Sequence, residues 1–424
     1  MLWYRVTIHE QIQDMGRRAL AASRGLALLS SATKNAILHA MADQLLAEEP
    51  AILEANALDI QAAQEKGLSA AMIDRLLLNP KRLAAMAQGV REVAELPDPV
   101  GESISAWNRP NGIAIEKVRV PIGVIAIIFE SRPNVTSDAA VLCFKSGNAT
   151  ILRGGSEAIH SNRAIAAALQ RGGEKAGLPA DSIQLVPFTD RESVKHLAEM
   201  DQYVNLIIPR GGKGLIETVV ALARMPVIKH YDGVCHIYVD SDGQLPMAEE
   251  LILNSKCQKP SACNAAETIL IHESVAAEFY TKHLPALLAA GVELRGDATA
   301  VASHPNQIKP ATEEDWSTEY LDLILSVKTV KNVDEAIAHI NHYGSKHSDC
   351  IVTENAETAA KFLAEIDSAV VFWNASLRFN DGGEFGFGCE IGISTDKLHA
   401  RGPMGLPELT TYKYIVRGQG QVRS

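Results

Sequence analysis

The sequence predicts an α/β protein built on parallel sheets. Three observations carry that expectation. Short continuous apolar runs, the longest being Val124–Phe129, read as strands buried on both faces. Those runs alternate with stretches of helical period, the pattern of right-handed strand–helix–strand crossovers. The chain is 424 residues long, 47% hydrophobic and 21% charged, which suits two domains, or three, around real cores.

The elements follow in order. The first hundred residues read as helices. Between Leu20 and Leu46 apolar residues recur at three- and four-residue spacing, with Ser30, Ser31 and Thr33 as capping candidates. Asp98–Asn111 is rich in Pro, Gly and polar residues and ends that region. Ile113–Val120 alternates, as a half-exposed strand does, until Pro121 and Gly123 break it. Val124–Phe129 is the first buried strand. A polar turn over Glu130–Ser137, a helix over Asp138–Lys145 and a strand over Ala149–Arg153 follow. Further strands are expected at Val204–Ile208, His236–Val239 and Thr268–Ile271, with helices at Leu215–Ala223 and Leu245–Lys256. Strand–helix alternation continues from Ile324 to Val371. Asp381–Gly392 is dense in glycine and reads as an ordered functional loop, and Thr410–Val416 as a last strand.

Composition excludes several roles. Acidic residues outnumber basic ones 51 to 40, for a net charge of -11, so a general nucleic-acid partner is not expected. No apolar run approaches a membrane span, and Met1–Gln11 lacks the apolar region of a secretory signal. A cytoplasmic protein is expected, with its six cysteines reduced.

Two segments are candidates for chemistry. Pro209-Arg210-Gly211-Gly212-Lys213-Gly214 joins a strand to a helix. It suits either a tight turn or a phosphate cradle at a helix N-terminus, and Leu152-Arg153-Gly154-Gly155 strengthens the second reading. Neither is the G-x-G-x-x-G fingerprint. The second segment is Asn254–Ala265. Cys263 stands just before a strand, with Lys256 and Lys259 near enough in sequence to favour a thiolate. A buried structural cysteine is the alternative. Cys257 and Cys263 have neither zinc-pair nor redox-pair spacing. Cys143 and Cys350 read as core; Cys235 and Cys389 lie near candidate loops. His339, His342 and His347 cluster near a helix end that Gly344 would cap, where they complement the dipole, and no metal is expected.

The long stretch VPIGVIAIIFESRPNVTSDAAVLCFKSGNATILRGGSEA, from Val120 to Ala158, is distinctive. So are IIPRGGKG, VCHIYVD, KPSACNAAET, NDGGEFGFG and LHARGPMGLPELTTYKY. Together they resemble the glutamate-5-semialdehyde dehydrogenase (gamma-glutamyl phosphate reductase) family of the aldehyde dehydrogenase superfamily, from about Leu20 to Val416. The resemblance implies an aldehyde dehydrogenase-like fold of two parallel-sheet α/β domains plus a small β oligomerisation element. It implies an NADP-binding domain over residues 1–101 and 120–232, a catalytic domain over 233–405, and oligomerisation strands in 102–119 and 406–424. The implied reaction, the second step of proline biosynthesis, reduces L-glutamate 5-phosphate with NADPH to the 5-semialdehyde and phosphate.

The same resemblance implies roles for single residues. Cys263 becomes the nucleophile and Asn134 the oxyanion donor. Arg153 is placed to grip the 2′-phosphate of NADPH, Glu319 to contact the nicotinamide ribose, and Gly211, Gly212 and Gly214 to hold phosphate. Ser376, Arg378, Arg401 and Lys259 are candidates for the substrate's anionic groups. A homo-oligomer, dimer or tetramer, is implied; the sequence does not say whether the chain makes transient contact with glutamate 5-kinase, the kinase that supplies the acyl phosphate. Relatives that hydrolyse a thioester carry a water-activating glutamate in a Glu-Leu-Gly-Gly segment. Lys229-His230-Tyr231-Asp232-Gly233 stands there and has no glutamate. An aldehyde-oxidising enzyme, a coenzyme A-dependent reductase and a non-catalytic nucleotide-binding protein are the competing readings.

Overall fold

The protein is described by a computed structural model covering residues 7–388 and 390–423. Cys389 therefore lies outside the described residues. By contact the chain separates into two compact units. The first runs to Lys229 and takes in Gly386–Gly392 and the residues from Met404 onward. The second comprises His230–Phe385 and Ile393–Pro403. The glycine-dense loop is thus divided between the units, where the sequence suggested one continuous segment of the second.

The first unit begins with helices Ile8–Leu26, Ser31–Ala47, Glu49–Glu65, Ala70–Leu76 and Pro80–Glu95. Short polar side chains start most of them. Thr7 and Glu10 form a reciprocal capping box, and Ser30 and Asn79 each accept a backbone N–H of the following turn. Behind these helices lies a parallel sheet in the order Ile183–Leu185, Ala149–Gly154, Val124–Phe129, Leu206–Arg210. Every residue of Val124–Phe129 is buried, as its unbroken apolar run requires. The helix after it starts at Asn134, four residues before the expected Asp138, because Pro133 already holds helical φ, -57°, at the cap.

A separate antiparallel sheet of the first unit orders Ser103–Asn108, Ala114–Pro121 and Thr410–Arg417. Ser103–Asn108 falls inside the stretch read as a polar boundary. It is exposed along its whole length, so no apolar periodicity announced it. Trp107 and Tyr414 meet edge to face at 6.2 Å, and the Lys117 ammonium sits 3.6 Å from the Tyr412 ring centre.

In the second unit, seven strands form a parallel sheet. Their order is Ile308–Pro310, Glu293–Gly296, Ile324–Val330, Ala266–His272, Cys235–Val239, Ser348–Val352 and Val370–Trp373. Helices Leu245–Cys257 and Glu273–Lys282 close one core with Ile237, Ile269, Phe279 and Leu294. Val333–Tyr343 and Ala356–Glu365 close a second with Tyr238, Leu270, Ile337 and Phe362. Among the described residues no helix is long and apolar enough to cross a membrane.

Two glycines of the first unit should respond oppositely to substitution. A Cβ at Gly172 would stand 2.6 Å from the Ala40 carbonyl oxygen, where helix Ile159–Lys175 crosses Ser31–Ala47. Gly89, inside Pro80–Glu95, faces open space. Gly172→Val should cost about 1–3 kcal/mol by overpacking. Gly89→Ala should add ~0.5–1 kcal/mol through helix propensity. Calorimetric melting of the two variants checks the opposite signs.

Candidate active site

In the second unit, Cys263 lies half-buried in the turn between helix Leu245–Cys257 and strand Ala266–His272. The turn is closed by Ala262 N–H to the Lys259 carbonyl, 3.1 Å, and Ala265 N–H to the Ala262 carbonyl, 2.9 Å. The Cys263 carbonyl packs directly on Gly233, where any Cβ would overlap the Cys263 backbone. The Cys235 thiol donates to that same carbonyl at 3.3 Å. Gly233 in turn donates its N–H to Glu319 Oε1 at 2.9 Å. Nucleophile candidate and Glu319 are therefore fastened to one short segment, Gly233–Cys235. Burial raises the Glu319 carboxyl above its ordinary range, and the Gly233 N–H opposes that.

Lys256 is not the free cation that its nearness to Cys263 in sequence suggested. Its ammonium lies 2.6 Å from Glu267 Oε2, and both side chains are sealed from solvent. The last turn of the helix points Lys256 inward, toward the strand that carries Glu267. Burial raises the Glu267 carboxyl, and Lys256 offsets part of that rise. Lys259, by contrast, is exposed.

The proposed substrate clamps are already engaged. Ser376 is buried; its hydroxyl donates to Asn254 Oδ1 at 2.6 Å and accepts the Arg378 N–H at 3.2 Å, capping a short 3-10 turn. The Arg378 Nε donates to Gln258 Oε1 at 2.6 Å. Arg401 donates to the Asp367 carbonyl and carboxylate at 2.9 and 3.0 Å. His339 is buried against Trp316 and His236, and burial pushes its imidazole down to about 2. Among the described residues no group of His, Cys, Asp and Glu could hold a metal ion.

In the first unit, Gly211 and Gly212 form the turn between strand Leu206–Arg210 and helix Lys213–Leu222, and Gly214 lies in the helix's first turn. A Cβ at Gly211 would press on the Glu130 carboxylate, which also accepts the Gly212 N–H at 3.0 Å. A Cβ at Gly212 or Gly214 would meet nothing, so the turn leaves room for a ligand, with the Gly212 N–H held by Glu130. Arg153 is buried and spends its donors on its own unit: Nη2 on the Thr189 carbonyl at 2.9 Å, Nε on Ser193 Oγ at 3.4 Å. Asn134 opens its helix and donates to Asp138 Oδ2 at 2.8 Å. Burial pushes the Asp138 carboxyl up to about 6, against the pull of Asn134 and Arg210.

The sequence profile of the aldehyde dehydrogenase family matches residues 4–307. The chain belongs to the aldehyde dehydrogenase family. Within the family, the gamma-glutamyl phosphate reductase of Geotalea daltonii is 54% identical over 99% of this chain and 100% of its own. That of Moorella thermoacetica is 55% identical over 97% and 99%. The crystal structure of gamma-glutamyl phosphate reductase from Thermotoga maritima superposes with TM-score 0.96 at 46% identity, covering 97% of this chain and all, 100%, of that one. An acetylating aldehyde dehydrogenase from Geobacillus thermoglucosidasius, at 16% identity and TM-score 0.68, shares the fold.

For this aldehyde dehydrogenase, sequence reasoning overlooked Gly233 and Cys235 as supports of Cys263. The signal was present: a small residue and a thiol just where the hydrolytic glutamate segment is replaced. The Lys256–Glu267 pair gave no such signal, because its partners are joined only by the fold. Lys256→Met should cost about 3–5 kcal/mol by stranding a buried carboxylate, and Lys256→Met with Glu267→Leu should restore most of it. Unfolding in urea compares the two. Asp138 gives a pH test. Its folded pKa, about 6, exceeds its ordinary 3.8. The stability it contributes is therefore full below 3.8 and lost as pH rises through about 6. Asp138→Asn should raise stability by ~1–2 kcal/mol at pH near 8 and leave it unchanged near pH 4, read as melting temperature against pH.

Proposed function

We propose that this enzyme reduces L-glutamate 5-phosphate to L-glutamate 5-semialdehyde with release of phosphate, the second step of proline biosynthesis. The observation that carries the reading is the Cys263 turn. It holds a half-buried thiol at a fixed place in a chain alike over its whole length to gamma-glutamyl phosphate reductases.

The Cys263 thiolate attacks the acyl carbon, the bond to the phosphate oxygen breaks, and a thioester forms on the enzyme. Among the described residues nothing accepts a hydrogen bond from the Cys263 N–H, so it is available to the developing oxyanion. Asn134 is the second oxyanion donor in this reading, and its amide must turn from Asp138 to serve. A bound nicotinamide cofactor, NADPH, supplies the hydride that takes the thioester to the aldehyde level. Phosphate needs no strong general acid to depart. The segment His230–Gly233 has no glutamate to activate water, so the thioester is spared hydrolysis.

The unobstructed turn at Gly212 and Gly214 leaves room for the cofactor's pyrophosphate, with Gly211 shaping the turn; Glu130 would release the Gly212 N–H to it. Glu319, anchored by Gly233, is left one carboxylate oxygen for the ribose. Arg153 would serve a 2′-phosphate by giving up its carbonyl partners. Arg378, Arg401 and Lys259 remain the cations assigned to substrate; Ser376 is assigned to the turn it caps. The three-stranded sheet ends in two unpaired edges and exposes Trp107, Tyr412 and Tyr414, which suits a homo-oligomer, dimer or tetramer. A cytoplasmic location and passing contact with glutamate 5-kinase complete the proposal.

The reverse reaction tests it. Wild-type enzyme should reduce NADP with glutamate semialdehyde only when phosphate is present. Cys263→Ala should lose at least about 10⁴-fold in rate while still binding NADPH. Turnover that ignores phosphate but requires coenzyme A would overturn the reading.

A further inference from the structure

Cys263 does not stand alone in its turn. A buried polar ring of the second unit begins and ends on it. The Cys235 Sγ donates to the Cys263 carbonyl at 3.3 Å and lies 3.6 Å from His347 Nδ1. That nitrogen is 2.6 Å from Ser348 Oγ. Ser348 Oγ accepts from Asn380 Nδ2 at 2.6 Å, and the Asn380 carbonyl accepts from Asn264 Nδ2 at 2.9 Å. Asn264 is bonded in sequence to Cys263, which closes the ring. Cys235, His347, Ser348 and Asn380 are each 0% exposed, and Asn264 is 4% exposed.

Hydrogen bookkeeping assigns the direction. A carbonyl can only accept, so the Cys235 proton goes to the Cys263 carbonyl, and Asn380 donates to Ser348 on the far side of His347. Burial holds the Cys235 thiol far above its ordinary range, so it stays a donor. Pairing with the neighbouring strand slips by one residue here: Cys235 faces Ala266 and His236 faces Thr268, so Glu267 is an extra residue on strand Ala266–His272, next to the Cys263 turn.

We infer that Cys235 is a positioning residue for the reaction: its thiol, backed by the His347–Ser348–Asn380–Asn264 chain, fixes the Cys263 peptide and thereby the line along which the nucleophile meets the acyl carbon. The inference rests on Cys263 being the nucleophile of the proposed reduction. Cys235 touches no reacting atom. Its loss affects how often the thiolate is in line, not how tightly substrate is held.

The test compares Cys235→Ser, Cys235→Ala and Cys235→Val in the phosphate-dependent reverse assay, with rates normalised to the Cys263 titre from the acylation burst. Serine keeps a donor, alanine removes it, and valine removes it while filling the volume. Alanine and valine should lower kcat by roughly 10–100-fold, with KM for semialdehyde and phosphate within about twofold. Serine should return kcat to within about threefold of wild type. Equal loss in serine and valine, or wild-type kcat in alanine, overturns the inference. If alanine does not fold, the serine–valine pair decides. Wild-type enzyme lacking phosphate-dependent activity would instead overturn the proposed reaction, leaving the two failures distinguishable.

Discussion

A backbone carbonyl pressed against a glycine governs the chemistry of the second unit. Cys263 C=O fills the space in which a side chain at Gly233 would stand. That contact can exist only because strands Cys235–Val239 and Ala266–His272 run parallel and adjacent, setting Cys235 opposite Ala266. The ladder thus places the residues just before each strand side by side. Gly233 then hands its N–H to Glu319, and Cys235 hands its proton to Cys263. The two units use opposite strand ends. The first unit offers the turn after Leu206–Arg210, the carboxyl end favoured for ligands in open parallel sheets. In the second unit Cys263, the proposed nucleophile, stands at an amino end, on a turn that leads into strand Ala266–His272.

Electrostatics is arranged by pairing more than by surplus. A chain of net charge -11 acting on a doubly anionic substrate must create positive potential locally. Several cations nearest the candidate loops are committed elsewhere: Lys256 to Glu267, Arg401 to Asp367, Arg153 to backbone carbonyls. Among the described residues the Cys263 N–H stays open, and Lys259 is exposed. Preorganised N–H groups attract anions without the desolvation cost of a buried ammonium.

The fold class was legible because its cause is local. The run Val124–Phe129 announces a strand buried on both faces whatever surrounds it. Strand Ser103–Asn108 was not legible, since it is held by pairing to Ala114–Pro121 and buries nothing. The early start of helix Asn134–Lys145 was hidden because Glu130–Ser137 is polar and reads as a turn, whereas Pro133 within it serves as a cap. At the site the same division holds. Cys263 and the Gly211–Gly214 turn stand out by residue type and neighbours. Lys256 was misread because sequence nearness to Cys263 says nothing of direction, and its partner Glu267 lies across a helix-to-strand turn. The bonds of Ser376 to Asn254 and of Arg378 to Gln258 were not legible either, since only the fold brings those partners together.

Burial also explains why one thiol among several is suited to attack. Cys143 and Cys350 are fully buried, and desolvation pushes both up to about 12. Cys235 is raised further by the same cause, with Asp349 adding to it. Cys257 is half-buried and raised, though Lys256 pulls against the rise. A thiol held protonated neither attacks an acyl phosphate nor oxidises readily, so Cys143, Cys235 and Cys350 are poorly suited to be the nucleophile. For Cys235 the retained proton is useful. A serine there would be the stronger donor, but a buried thiol costs less to desolvate. Two cysteines thus meet at one turn in different settings: Cys235 sealed and donating to the turn's carbonyl, Cys263 half-buried within it.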